Sequence, residues 1–189
     1  LPIFQTRKCS ACNKSETRNV GKKLAPKATL NASTVTLKVK QSTSRLKVTG
    51  LAKGDSVKSW KSSNSKIFTV RGKSNGTCKI TGKKRGTAKL QITLASGLKK
   101  TVKVRVQTAA VKTSKITVSK NVTVKKGKRV TLKPVVTPFT SRQKVTYTSS
   151  NKKIATVSSK GVVTGKKKGT VKITVKSGSK SVKVTVKVK

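Results

Sequence analysis

Residues 143–175, QKVTYTSSNKKIATVSSKGVVTGKKKGTVKITV, and residues 56–94, SVKSWKSSNSKIFTVRGKSNGTCKITGKKRGTAKLQITL, carry nearly the same text twice. Trp60 aligns with Tyr147, Asn64 with Asn151 and Val70 with Val157, each displaced by 87 positions. The first copy then lengthens: RGKSNGTCKI stands where the second has SSKGVV, so Gly82 aligns with Gly165 and Gly86 with Gly169. The last hairpin differs in the same way, ASGLKK against SGSK, and Val102, Val104 and Val106 align with Val182, Val184 and Val186. Length changes confined to turns, with strand spacing kept, mark two copies of one folded unit.

Within each copy the apolar residues alternate. In VTVKKGKRVTLKPVV, Val122, Val124, Val130 and Leu132 fall on period two, the pattern of half-buried strands. Val, Ile and Thr, which suit a pleated surface, dominate these runs. No stretch has the pattern of a long amphipathic helix, and no apolar run approaches the roughly 20 residues of a membrane-crossing helix. About seven short strands per unit, with turn signals between them, predict an all-β chain of two tandem sandwiches. The domains are placed at 27–108 and 112–189. The linker around QTAAVKT is short and free of Gly and Pro, which predicts a semi-rigid pair. Val57 stands three places before Trp60 where Val145 stands two before Tyr147, and a bulge in the first copy would reconcile them.

Residues 1–26 belong to neither copy and read as a tail or the end of a preceding module. The chain does not begin with Met and shows no signal peptide or sorting signal, so it reads as a portion of something longer.

Composition then narrows the chemistry. The 189 residues hold 48 Lys+Arg, 2 Asp+Glu and no His, a formal net charge of +46. General acid–base catalysis usually needs a His or a tuned carboxylate, and Glu16 and Asp55 are the only acids. A Ser–His–Asp triad, a glycosidase carboxylate pair and a carboxylate-rich calcium site are all excluded. The chain is therefore read as non-enzymatic, without a cofactor. Its charge favours polyanionic partners.

The run from Tyr147 to Val175 resembles the bacterial immunoglobulin-like domain, group 2. That family shows an aromatic residue, Ser-Ser-Asn, an Ala-x-Val step, a Gly-x-Val-x-Gly step and a Gly-Thr that opens a strand. The resemblance covers nearly all of the second domain, including Pro138. The first domain is a weaker match: Phe68 replaces Ala155, GTCKITG replaces the Gly-x-Val step and GLAKGD stands for the Pro138 region. The resemblance implies a tandem pair of seven-stranded immunoglobulin-like β-sandwiches, of a kind found on bacterial surface and secreted proteins as stalks, spacers and adhesion modules. It brings no ligand and no functional residue, because the shared positions are turn formers and core.

Trp60 and Tyr147, mid-strand, are expected in the cores. The Ser-Ser-Asn triplets are expected to close turns. Lys83, Lys84 and Arg85, and Lys166, Lys167 and Lys168, form basic tips between glycines that permit a turn rather than cradle a phosphate. In VKITVKSGSKSVKVTVKVK the valines and Ile173 point inward, leaving Lys172, Lys176, Lys183 and Lys187 outward on one hairpin, where like charges are expected to face each other and repel. The tips together with Lys172 and Lys183 are the candidate polyanion-binding residues. The expected partners are anionic cell-wall or host-surface polymers. Two other readings stay open: a stalk with no ligand, and a non-specific nucleic-acid binder. The last has little to stack on bases at 3% aromatic content. No membrane insertion is expected. Cys9 and Cys12 have zinc-knuckle spacing but no further ligands nearby, which leaves half a metal site, a local disulfide or free thiols open. Cys78 is expected as a small buried hydrophobe.

Overall fold

The computed structural model describes residues 2–8, 12, 15–22 and 25–189. Among these there is no helix, and so none long and apolar enough to cross a membrane. An N-terminal antiparallel hairpin joins β1 (Pro2–Lys8) and β2 (Ser15–Lys22).

The next nine strands build the first sandwich: β3 (Thr29–Leu30), β4 (Thr34–Lys38), β5 (Ser42–Thr43), β6 (Val48–Thr49), β7 (Val57–Ser62), β8 (Phe68–Gly72), β9 (Cys78–Gly82), β10 (Gly86–Leu94) and β11 (Lys99–Gln107). Seven of them form two sheets, β4-β11-β10-β7 and β5-β9-β8, while β3 and β6 pair separately. The last nine repeat the plan: β12 (Lys115–Thr117), β13 (Asn121–Val124), β14 (Arg129–Thr131), β15 (Val135–Thr137), β16 (Val145–Ser149), β17 (Ala155–Val157), β18 (Val162–Gly165), β19 (Gly169–Ser177) and β20 (Lys180–Val188). Their sheets are β13-β20-β19-β16 and β14-β18-β17, with β12 paired to β15. In both domains the first strand of the large sheet runs parallel to the last, and all other pairings are antiparallel. This is the two-sheet immunoglobulin-like arrangement that the family resemblance implied.

Period-two alternation places the cores. Val35, Leu37, Phe68, Ile80, Leu90, Ile92, Val102 and Val104 are fully buried between the sheets of the first domain. Ile173, Val175, Val184, Val186, Val163 and Ala155 do the same in the second. Phe68 and Ala155 occupy the same place, so the larger side chain in the first copy is a core-volume difference. The anticipated bulge exists: Ser59 pairs with Thr93 but Val57 with Leu94, leaving Lys58 as the extra residue. Cys78 is buried, as expected.

Trp60 and Tyr147 pack against the two cores as expected, but from the margin, where each is only half-buried. Each lies over a glycine of the opposite sheet or its turns. A Cβ on Gly72 would fall 2.0 Å from the Trp60 ring, and one on Gly161 2.8 Å from that of Tyr147. The polar indole nitrogen explains the marginal place of Trp60, since it donates to the Lys73 carbonyl at 3.1 Å.

Candidate polyanion-binding surface

The Ser-Ser-Asn triplets close turns in both copies. Ser62 Oγ accepts from Asn64 N–H at 3.2 Å and Asn64 Oδ1 from Lys66 N–H at 3.0 Å; Ser149 and Asn151 do likewise at 3.3 and 2.9 Å. This turn holds each basic tip. The Ile67 carbonyl accepts from the N–H groups of Lys83 and Lys84 at 2.7 and 3.2 Å, and that of Ile154 from Lys166 and Lys167 at 2.8 and 3.2 Å. All six tip side chains are exposed. The entering glycine is a packing requirement, since a Cβ on Gly165 would meet Val188 at 2.9 Å and the Lys125 carbonyl at 3.1 Å. Gly165 and Gly127 also exchange backbone bonds with the facing turn, Gly127 N–H to Gly165 O at 2.8 Å and Gly165 N–H to Lys128 O at 3.1 Å. Lys125, Lys126 and Lys128 thus stand beside the second tip, a neighbourhood the linear sequence conceals across some forty residues. In the first domain that turn is Lys38–Gln41, again bonded to Gly82. Each tip sits at the end of its own sandwich where the last strand finishes, so the two tips do not form one site.

The outer faces of the large sheets hold the other candidates. Lys172 lies opposite Thr185, Lys183 opposite Thr174, Lys187 opposite Thr170 and Lys176 opposite Ser181. The expected like-charge pairs of this hairpin are therefore absent: every lysine faces a hydroxyl. The two strands alternate Lys with Thr or Ser, and the turn sets the register so that the alternations fall out of phase. Lys172 and Lys183 come together as diagonal neighbours. The first domain keeps less of this order. Arg105 faces Thr87, but Lys89 faces Lys103 directly, and Thr101 faces Gln91.

A third feature, unseen in the sequence, joins the domains. The loop after β15, beginning with the cis Thr137–Pro138 peptide, reaches the first domain. Phe139 packs against the first core. Arg45 Nη1 donates to the Phe139 carbonyl at 2.5 Å, Gln41 Nε2 donates to the Thr140 carbonyl at 2.7 Å, and the Thr140 hydroxyl donates to the Thr36 carbonyl. The linker is held too: Gln107 Nε2 donates to the Ala109 and Ala110 carbonyls, Val111 is buried, and Thr113 N–H donates to Gln143 Oε1 at 2.6 Å. The buried Thr113 hydroxyl lies 3.0 and 2.9 Å from those of Ser141 and Ser177. Beside this joint is an open groove of about 1630 Å³ that Arg45, Arg105 and Val135 help to line, with no carboxylate, thiol or imidazole in its wall. Val135 is 61% exposed there.

Asp55 acts as a turn cap, Oδ1 accepting from Ser56 and Ser96 N–H and Oδ2 from the Ser96 hydroxyl at 2.7 Å. Burial pushes the Cys78 thiol up to about 12 and raises the Tyr147 phenol. Cys12 is exposed, whereas Cys9 lies outside the described residues, as does any pairing between them. Among the described residues no three His, Cys, Asp or Glu side chains gather to hold a metal ion.

Residues 111–188 match the family model of the bacterial Ig-like domain, group 2. The second domain is a bacterial Ig-like domain of group 2. Its strand plan is repeated by the first domain, to which that match does not extend. The pair is similar to domains 4 and 5 of the S-layer protein SbsC, 25% identical over 87% of this chain and 97% of that one, with a TM-score of 0.41. Domains 5–6 of SbsC are 20% identical over 87% and 99%, with a TM-score of 0.42. A GH10 xylanase from termite gut that contains a bacterial Ig-like domain is 26% identical over 36% of this chain and 18% of that one, with a TM-score of 0.32. No curated protein matches the chain.

Proposed function

We propose that the chain is a non-catalytic spacer and adhesion module of a bacterial cell-surface or secreted protein, and that it holds anionic glycopolymers on its lysine-bearing surfaces. The observation that supports this most is the arrangement of the cations. Forty-eight basic residues stand against two acids, so internal ion pairing can neutralise only a small part of them. On the second domain these cations are set among hydroxyls at a regular register. Such a surface accumulates counter-anions and gains free energy when one polymer replaces many of them. The group 2 Ig-like assignment of the second domain supports a surface location, and the S-layer relatives share this two-domain span.

The test is a binding panel at about 0.15 M salt, where attraction between distant exposed charges is largely screened. A polyol-phosphate wall polymer, sulfated and sialylated glycans and duplex DNA are compared on the intact chain. Selective retention of one acidic glycopolymer is the expected result. Equal or stronger binding of duplex DNA would favour a non-specific nucleic-acid binder. No retention of any polymer would leave a stalk, a reading that draws its own support from the inter-domain joint at Phe139 and Thr140.

A further inference from the structure

We propose that the outer face of the β19–β20 hairpin is a track, one chain wide, for a linear polymer of phosphodiester groups. This rests on the anionic-polymer reading above and names its site and ligand class. The nine residue pairs from Gly169–Val188 to Ser177–Lys180 run without a register break. Along them Lys187, Lys172, Lys183 and Lys176 succeed one another on alternate strands, each the diagonal neighbour of the next. Diagonal positions lie about 7–8 Å apart, and four of them cover a path of about 20 Å along the strands. Opposite each lysine stands Thr170, Thr185, Thr174 or Ser181. Thr174 and Thr185 are half-buried, whereas the four lysines are exposed. The face is therefore a hydroxyl floor with ammonium groups rising from it at one repeat.

The charge is confined to the two central strands. The flanking strands present Asn121 and Thr123 on one side, paired to Thr185 and Lys187, and Thr146 and Thr148 on the other, paired to Lys176 and Thr174. Neutral borders with strands about 5 Å apart leave room for one polymer chain and not for the two backbones of a duplex. An ammonium is a point charge that pairs with phosphate from many directions, and a threonine hydroxyl can donate to a second phosphate oxygen. The outward positions of these four strands carry no aromatic ring, so bases would find nothing to stack on and a polyol or sugar phosphate is preferred to single-stranded DNA. In the first domain Lys89 opposite Lys103 and Gln91 opposite Thr101 break the zigzag, which assigns the track to the second domain alone.

The experiment keeps the charge and changes only its place. The double variant Lys172→Thr with Thr185→Lys has the composition of the natural chain but moves one lysine onto the other strand. Binding of poly(glycerol phosphate) to the intact chain is measured by titration across a salt series, beside Lys89→Gln as a first-domain control. Four phosphate contacts predict a slope of log K on log salt of about −3. The exchange is expected to weaken binding about tenfold, while Lys89→Gln leaves it nearly unchanged. Equal affinity of the exchanged and natural chains would overturn the track. If the exchange unfolds the domain, Lys172→Gln with Lys183→Gln is compared with Lys152→Gln with Lys160→Gln, and equal losses overturn it too. Tighter binding of single-stranded DNA overturns the ligand class. If the natural chain binds none of these polymers, the anionic-polymer reading itself fails.

Discussion

Two residues illustrate how far side-chain chemistry alone decides local behaviour. Lys40 has a φ of 66°, and its counterpart in the second copy is Gly127, at 76°. The same turn is closed in both, Gln41 N–H to Lys38 O at 2.9 Å and Lys128 N–H to Lys125 O at 3.0 Å. A side chain in the left-handed region costs about 1–2 kcal/mol, partly offset by the greater unfolded-state freedom of glycine. Lys40→Gly is therefore expected to stabilise the first domain by a few tenths to about 1 kcal/mol, read as a higher denaturant midpoint. Cys78 gives a pH prediction. Its thiol ionises near 9 when exposed and near 12 in the fold. Between those values the unfolded state releases the proton and the folded state keeps it, so stability is intact below about pH 9 and falls as pH rises toward 12. Against the natural chain, Cys78→Ala is expected to lose this decline, so the gap between the two unfolding curves narrows above pH 9. A gap independent of pH would count against the burial argument.

At the scale of elements, the strands were legible and the register was not. Val171, Ile173, Val175, Val184 and Val186 alternate in the sequence and are buried in the fold, because alternation is itself the signature of a two-faced strand. Which residue faces which depends on turn length. The Ser177–Lys180 turn sets Lys172 against Thr185 rather than against Lys183, and this replaced the anticipated repulsion with a zigzag. The Ser-Ser-Asn turns were readable because a short polar side chain satisfies a backbone group two residues on. Asn151→Ala is expected to cost about 1 kcal/mol through loss of the Lys153 N–H bond, measured by chemical denaturation. Because Ile154 follows in that turn and its carbonyl holds Lys166 and Lys167, the amide protons of the tip should exchange faster as well. The marginal positions of Trp60 and Tyr147 were not legible, for they depend on how each ring meets Gly72 or Gly161 once the opposite sheet is packed across from it.

For the whole molecule, the joint makes a prediction that neither domain makes alone. Phe139 belongs to the second domain by sequence but packs on the core of the first. Phe139→Ala is expected to destabilise the first domain by roughly 1–3 kcal/mol for a half-buried ring, read as a lower unfolding midpoint, while the second core keeps its contacts. Calorimetry on the intact chain would resolve this, and a shift confined to the second domain would refute it. The net charge of +46 sets a second expectation. Mutual repulsion opposes compaction, so added salt should raise the thermal midpoint until screening is complete. A midpoint indifferent to salt would mean that the hydroxyl-separated lysines cost the fold little.

The sequence by itself determined the class of the fold, the repetition of the unit, the turn chemistry and the excess of unpaired positive charge. All of these follow from side chains acting over a few residues, or from composition, and such effects survive in a linear string. The tertiary structure alone decided which charges become neighbours. Long-range pairing brought Lys125–Lys128 beside Lys166–Lys168 and seated Phe139 on the other domain, while the closure of the Ser177–Lys180 turn set Lys187, Lys172, Lys183 and Lys176 in one zigzag. The physical reason is that domain docking and the meeting of the turns are settled by contacts between residues tens of positions apart, and hairpin register by the geometry of the closed turn, neither of which a residue's own propensity encodes.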